Sequence, residues 1–373
     1  MVAYTLHGRP AFRRRSLGVL LRAMGAVSLR RLFRGPLVKG WTWTFEVMTR
    51  FMRDQMVHTL SLPNITDARE YEDSLLFDMP AVRNVEITRI NESSINGRWF
   101  VPRTGVKQRT VLYFHGGGYA FYSKTHDNLI AAVAEATQAR VLALDYRLTP
   151  EHRYPSQLED ALAAYRWLLI QGCEPKRLII AGDSAGGNLV LATLLGLREA
   201  GLSQPALAIG LCPWTNLGLR ESSLTRNAPY DWIQGFMSVK CAEWLHGNPD
   251  VADPMLSPVY ADLRGLAPIY LQTGGREILH DMIVDFTCIA KRQGANVTLD
   301  VWENMNHDFQ AYGDLIAESR EAYARVRLVA DQYCTLPEEV RMLPRSAQPR
   351  RELQAALSGN EHRGAPFTPA HVP

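Results

Sequence analysis

Ser184 lies in the run Gly182-Asp-Ser-Ala-Gly-Gly187, behind the strand-like stretch Arg177-Leu-Ile-Ile-Ala181 and ahead of apolar residues 188–197 that read as a helix. A serine in Gly-x-Ser-x-Gly between strand and helix is the pattern of a nucleophile elbow. The turn forces the serine backbone into strained dihedrals, and glycines on either side let strand and helix pass closely. The hydroxyl is then lifted above the sheet, with a helix N-terminus beneath it to favour developing negative charge. The bland alternative for the same residues is a tight turn carrying a solvated serine.

A second run points the same way. His115-Gly-Gly-Gly118 follows Thr110-Val-Leu-Tyr-Phe114, which reads as a buried strand. Consecutive glycines after a strand leave backbone N–H groups bare, which is what stabilising an oxyanion requires. A further donor is expected from the N–H of Ala185, next to the serine. A serine also needs a base, and the base needs an orienting acid. Among ten histidines, His307 stands just beyond the strand-like run Val297-Thr-Leu-Asp-Val-Trp302 and a short loop. His126, His246 and His280 fall in or beside helical stretches and read as ordinary polar residues. The acid is expected just after Leu271-Gln-Thr-Gly-Gly275. Glu277, nearer the strand end, is preferred there, and Asp281, which could instead cap a helix, is the alternative.

The elements that must position these groups alternate. Strands are expected at 110–114, 140–145, 177–182, 206–212, 268–273 and 297–302, with an initial hairpin over 85–90 and 98–101. Helices are expected near 126–138, 157–171, 184–200, 280–294 and 313–334. Such alternation builds a mainly parallel sheet with helices on both faces, and the reactive groups collect at its carboxyl edge. The composition is globular, with 46% hydrophobic and 21% charged residues over 373 positions. A net charge of +3 is too small to point to nucleic acid. Five cysteines, scattered and odd in number, suggest neither a disulfide framework nor a zinc site and read as core thiols in a reducing cytoplasm.

Charge is unevenly placed. No acid precedes Glu46, whereas eight arginines and Lys39 do, interleaved with Leu17, Leu20, Leu21, Met24, Val27 and Leu32 at helical spacing. Arg22 interrupts any membrane span or signal-peptide core. A basic amphipathic helix fits better, either packing as a lid over the site or lying on an anionic membrane surface. Residues 1–60 are expected to form a helical cap segment and 61–335 the catalytic domain, with a second cap insertion at about 214–250. Residues 336–373, rich in Pro, Arg and Gln, are expected to be a disordered tail.

These motifs resemble the bacterial hormone-sensitive-lipase branch of the α/β-hydrolases, a family of carboxylesterases. The resemblance runs through His115-Gly-Gly-Gly-Tyr119, Leu144-Asp-Tyr-Arg-Leu-Thr-Pro-Glu-His152, Gly182-Asp-Ser-Ala-Gly-Gly-Asn188, Pro213-Trp-Thr-Asn216, Asp253-Pro-Met-Leu-Ser-Pro258 and the segment from Glu277 to His307. It implies an α/β-hydrolase fold with a helical cap and a catalytic set of Ser184, His307 and Glu277, with oxyanion donors on Gly117, Gly118 and Ala185. The family's spacing of acid and histidine falls on Glu277 rather than Asp281. Two departures stand out. Glu277 replaces the family's usual Asp, and Tyr122-Ser123 replaces a common Gly-Ser, which predicts a bulkier pocket wall. The resemblance implies hydrolysis of small-molecule esters with short to medium acyl chains, with no metal or organic cofactor required. A membrane-surface lipase, a lactonase or deacetylase using the same chemistry, and a non-catalytic ligand-binding protein are the alternatives.

Overall fold

A computed structural model describes residues 4–77, 80–92, 95–218, 221–247 and 252–334. The tail expected over 336–373 lies outside the described residues. The N-terminal part runs β1 (Tyr4–Leu6), α1 (Pro10–Arg34), α2 (Trp43–Thr59), α3 (Ile65–Glu72) and β2 (Leu75–Phe77), with β1 and β2 paired antiparallel. The remainder runs β3 (Val85–Glu92), β4 (Ile95–Pro102), β5 (Thr110–Phe114), α4 (His126–Thr137), β6 (Arg140–Leu144), α5 (Ser156–Ile170), β7 (Leu178–Asp183) and α6 (Ser184–Glu199). It continues through β8 (Leu207–Leu211), α7 (Ser223–Arg226), α8 (Gly235–His246), β9 (Ile269–Gly274), α9 (His280–Arg292), β10 (Val297–Trp302) and α10 (Ala317–Cys334).

Eight strands form one sheet in the order β10-β9-β8-β7-β5-β6-β4-β3. Every pair from β10 to β6 is parallel, and the β4–β6 and β3–β4 pairs are antiparallel. The central strands β5, β7 and β8 are buried along their whole length, as their largely apolar sequences require. Helices α5, α6 and α9 pack one face through residues such as Leu158, Leu189 and Phe286. Helices α4 and α10 pack the other through Leu129, Ile130 and Val326.

Register is what makes this sheet a platform. Phe114 pairs with Gly182, so the glycine loop after β5 and the serine turn after β7 leave the sheet side by side. Trp302 pairs with Gly274, which sets the loop bearing His307 beside the turn bearing Glu277. At the elbow, Gly182 and Gly186 touch: a Cβ on Gly186 would stand 2.0 Å from the Phe114 carbonyl oxygen, and one on Gly182 would stand 2.6 Å from Gly186.

The six strands expected from 110 to 302 form within a residue of their expected ends, whereas the hairpin strands are longer than expected, Val85–Glu92 and Ile95–Pro102. The helix expected over 313–334 begins only at Ala317, because Gly313 is non-helical within the preceding 3-10 segment Phe309–Leu315 and Ile316 is extended. All five cysteines are free, and Cys288 is exposed rather than in the core. Helix α1 buries Val19, Leu20, Ala23 and Val27 against Val47 and Phe51 of α2. Helix α2 in turn packs Phe45 and Met48 against Trp302, Met305 and Tyr312 around the His307 loop.

Candidate active site

Ser184 opens α6 in a left-handed conformation, φ 51°, which a residue with a side chain adopts only under constraint. It faces a pocket shared with Gly117, Gly118 and Asp308. Gly117 and Gly118 also have positive φ, 90° and 61°. A Cβ on Gly118 would meet Cys241 Sγ at 2.5 Å, so the loop fits only with bare backbone there. Neither N–H donates to another group among the described residues. Ala185 stands in the first turn of α6, where backbone N–H groups lack intrahelical acceptors. Gly116 is spoken for: its N–H donates to Asp183 Oδ2 at 3.0 Å.

His307 is buried, and its Nδ1–H donates to Glu277 Oε2 at 2.7 Å. The other carboxylate oxygen of Glu277 accepts from Gly274 N at 2.9 Å and from the Thr273 hydroxyl, so the acid is fixed from behind. Asp281 is elsewhere. It sits on the first turn of α9, pairs with Arg226 at 2.7 Å and accepts from the hydroxyl of Ser222 and the backbone N–H of Ser223. Of the two carboxylates compatible with the sequence, only Glu277 reaches the imidazole.

The geometry adds residues that the sequence did not flag. Asp231, buried between the two loops, accepts from His307 N at 3.1 Å and Ile278 N at 2.7 Å, tying one loop to the other. Burial pushes its carboxyl up to about 7. Nothing marks Asp231 in the sequence, since it lies in the cap insertion far from both motifs. Trp232 beside it donates its indole N–H to the His307 carbonyl at 2.7 Å. Asp308 directly follows His307, and its Oδ2 stands 3.2 Å from His307 Nε2. Among the described residues no hydrogen bond joins His307 Nε2 to Ser184. Burial opposes the charge on His307, but Asp308 and Glu277 outweigh it and hold the imidazole well above its ordinary pKa.

His126, expected to be an ordinary polar residue, lines the pocket and faces Asp183 Oδ2 at 3.6 Å. Burial disfavours its cation, yet Asp183 prevails and lifts it to about 9. Tyr122 does not form the expected bulky wall. Its ring stacks on His115 with centroids 3.7 Å apart, and Ser123 takes the place at the pocket. Cys212 brings its sulfur within 4.8 Å of the ligating atoms of Glu277 and His307. Burial pushes this thiol well above its ordinary range, so it is a neutral neighbour of the pair rather than a thiolate.

The pocket walls come from α2 and from the segment around α8. Met48, Phe51, Met52 and Met56 of α2 face Trp232, Ile233 and Met237. No residue of α1 lines it, so the helix expected as a lid instead backs the wall made by α2.

A strained serine at a strand–helix turn, bare glycines beside it and a buried imidazole–carboxylate pair on one sheet edge define a hydrolase of the α/β class. The α/β-hydrolase-fold family matches residues 111–311, and the chain belongs to that family, in its bacterial hormone-sensitive-lipase branch. An acetyl-hydrolase of Streptomyces hygroscopicus is 41% identical over 216 residues, 57% of this chain and 72% of that protein. An esterase of Acinetobacter venetianus is 30% identical over 292 residues, 77% of this chain and 96% of its own. The crystal structure of an esterase from the bacterial hormone-sensitive lipase family superposes with a TM-score of 0.66 at 32% identity, covering 85% of this chain and 98% of that one. The chain is a carboxylic ester hydrolase.

Proposed function

We propose that the protein hydrolyses short- to medium-chain acyl esters by way of a covalent acyl-serine. Ser184 Oγ attacks the ester carbonyl while His307 Nε2 takes its proton. His307 then returns that proton to the leaving alcohol, and water repeats the cycle on the acyl-enzyme. Glu277 holds Nδ1 and stabilises the imidazolium. The N–H groups of Gly117, Gly118 and Ala185 receive the oxyanion, and water-excluding walls strengthen each of these interactions. The observation that carries this reading is the 2.7 Å His307–Glu277 pair brought to the same sheet edge as strained Ser184.

Chain length follows from the walls. Methionines and aromatics of α2 and α8 make an apolar pocket that adapts to short acyl groups. A relative 32% identical over 230 residues is named ethyl acetate hydrolase, in keeping with small esters. On p-nitrophenyl acetate through hexanoate, Ser184→Ala is expected to lose several orders of magnitude in kcat, and wild-type-like turnover in that variant would overturn the assignment.

One observation favours contact with a lipid surface as well. Leu21, Leu29, Leu32 and Phe33 on the outer side of α1 are 58%, 62%, 77% and 76% exposed. Arg14, Arg15 and Arg22 lie exposed on the same side, and a Cβ added at Gly18 or Gly25 would touch nothing. Apolar and cationic side chains on one open helix face match an anionic bilayer surface. Among the described residues no helix is long and apolar enough to cross a membrane.

A further inference from the structure

Asp308 is a carboxylate without a structural purpose. It stands at the start of the 3-10 turn at Phe309–Leu315 but makes no capping hydrogen bond. Its Oδ1 is buried and has no hydrogen-bond partner, and no lysine or arginine pairs with it among the described residues. It holds a left-handed backbone, φ 48°, that glycine would adopt without strain. Its side chain lines the pocket that holds Ser184.

Its ion-pair partner among the described residues is the reactive nitrogen. Oδ2 lies 3.2 Å from His307 Nε2, within ion-pair range but without the alignment of a hydrogen bond. That nitrogen must take the serine proton and later deliver it to the departing alkoxide. A group within reach of Nε2 therefore also lies within reach of the leaving oxygen and its first substituents.

Resting on the serine-esterase reading above, we propose that Asp308 is a positioning residue. It holds His307 Nε2 away from Ser184 in the resting enzyme and releases it when an ester whose alcohol carries a hydroxyl or ammonium donor occupies its carboxylate. The donor hydrogen-bonds to Asp308, the imidazolium gives its Nε2 proton to water, and the freed Nε2 turns to Ser184 and takes the serine proton as the Oγ–carbon bond forms.

The charges around the imidazole agree. Glu277 faces it from the turn after β9, Asp231 from the cap insertion, Cys212 from the end of β8, and Asp183, from β7, faces Asp308. Tyr113, Tyr312 and Tyr323 face Asp308 and remain neutral, since burial pushes each of them up. With carboxylates at both ring nitrogens, the imidazole keeps its proton to higher pH than it would with Glu277 alone. Burial lifts Asp308 itself to about 6, so it is largely ionised at neutral pH.

The test compares 2-hydroxyethyl acetate with propyl acetate, which match in size and differ by one donor. Wild type is expected to favour the hydroxylated ester by about tenfold in kcat/KM, the discrimination of a hydrogen bond to a charged acceptor. In Asp308→Asn that preference is expected to disappear, kcat on propyl acetate to rise, and the acid limb of the pH profile to move to lower pH. Equal kcat/KM for the two esters in wild type overturns the proposal even if the variant fails to fold. So do an unchanged preference and an unmoved acid limb in a folded variant. Ser184→Ala serves as the control: loss of both activities keeps the serine reading intact whatever Asp308 does, and surviving turnover overturns both.

Discussion

Glu277 and Asp281 are both acids on the segment after β9, four positions apart, yet they have different surroundings. Glu277 has its oxygens shared between His307 and the Thr273–Gly274 turn, and Asp281 is neutralised by Arg226. Glu277→Gln is accordingly expected to lower kcat by on the order of 10³–10⁴, because the amide no longer holds the correct imidazole tautomer. Asp281→Asn is expected to stay within about tenfold, since it loses only a part-exposed ion pair. Steady-state kinetics on one p-nitrophenyl ester decides, and the reverse ranking would make Asp281 the acid. The same carboxylates set the pH response. His307 is held above its ordinary pKa and works only as the neutral base, so the acid limb of kcat/KM is expected above the unperturbed imidazole value of about 6.5. A limb at or below that value would mean that Glu277 and Asp308 do not act on the ring.

At the scale of elements, the sheet and the two glycine motifs were legible because the signals are local. An unbroken apolar run, a turn that tolerates only glycine and an amphipathic helix can each be read within about ten residues. Helix α3 and the β1–β2 pair left no such signal. Asp231 could not be read because its meaning lies in two backbone N–H groups contributed by loops far along the chain. His126 opens α4 like any polar helix residue, and only the fold sets it against Asp183 beneath the elbow. Its pKa is raised, so its contribution to stability is full below the unfolded value and is lost as pH rises through about 9. Thermal unfolding is thus expected to show Tm falling over that range, and His126→Gln is expected to flatten the fall. A variant that follows the wild-type curve would remove His126 from the account. Helix α1 forms where a basic helix was expected, but Leu21 and Leu32, read with its apolar face, are exposed among the arginines, and its buried side meets α2 and not the pocket. Deleting residues 1–40 exposes Val47 and Phe51, so the truncation is expected to be destabilised by several kcal/mol, at about 1.5–3 kcal/mol for each large apolar side chain exposed. It is also expected to raise KM most for the longest acyl chains and to abolish salt-sensitive binding to anionic vesicles. Full-length protein that ignores such vesicles at low salt would dismiss the lipid contact.

Across the whole molecule, the parallel sheet gathers segments from distant parts of the chain at one carboxyl edge: the glycine loop after β5, the Ser184 turn after β7, Glu277 after β9 and His307 after β10. Helix α2, which precedes the sheet, and the segment around α8, which interrupts it, both line the pocket at that edge. Such an arrangement lets the walls vary without disturbing the strand ends that carry the chemistry. The central claim is that this edge activates one serine. It is tested most directly by treating the intact protein with a fluorophosphonate ester and locating the adduct by peptide mass spectrometry. The account predicts a single stoichiometric adduct on Ser184, formed faster as pH rises through the titration of His307, with labelling nearly abolished in Glu277→Gln. An adduct on another residue, or labelling of Ser184 that is indifferent to pH and to Glu277→Gln, would contradict it.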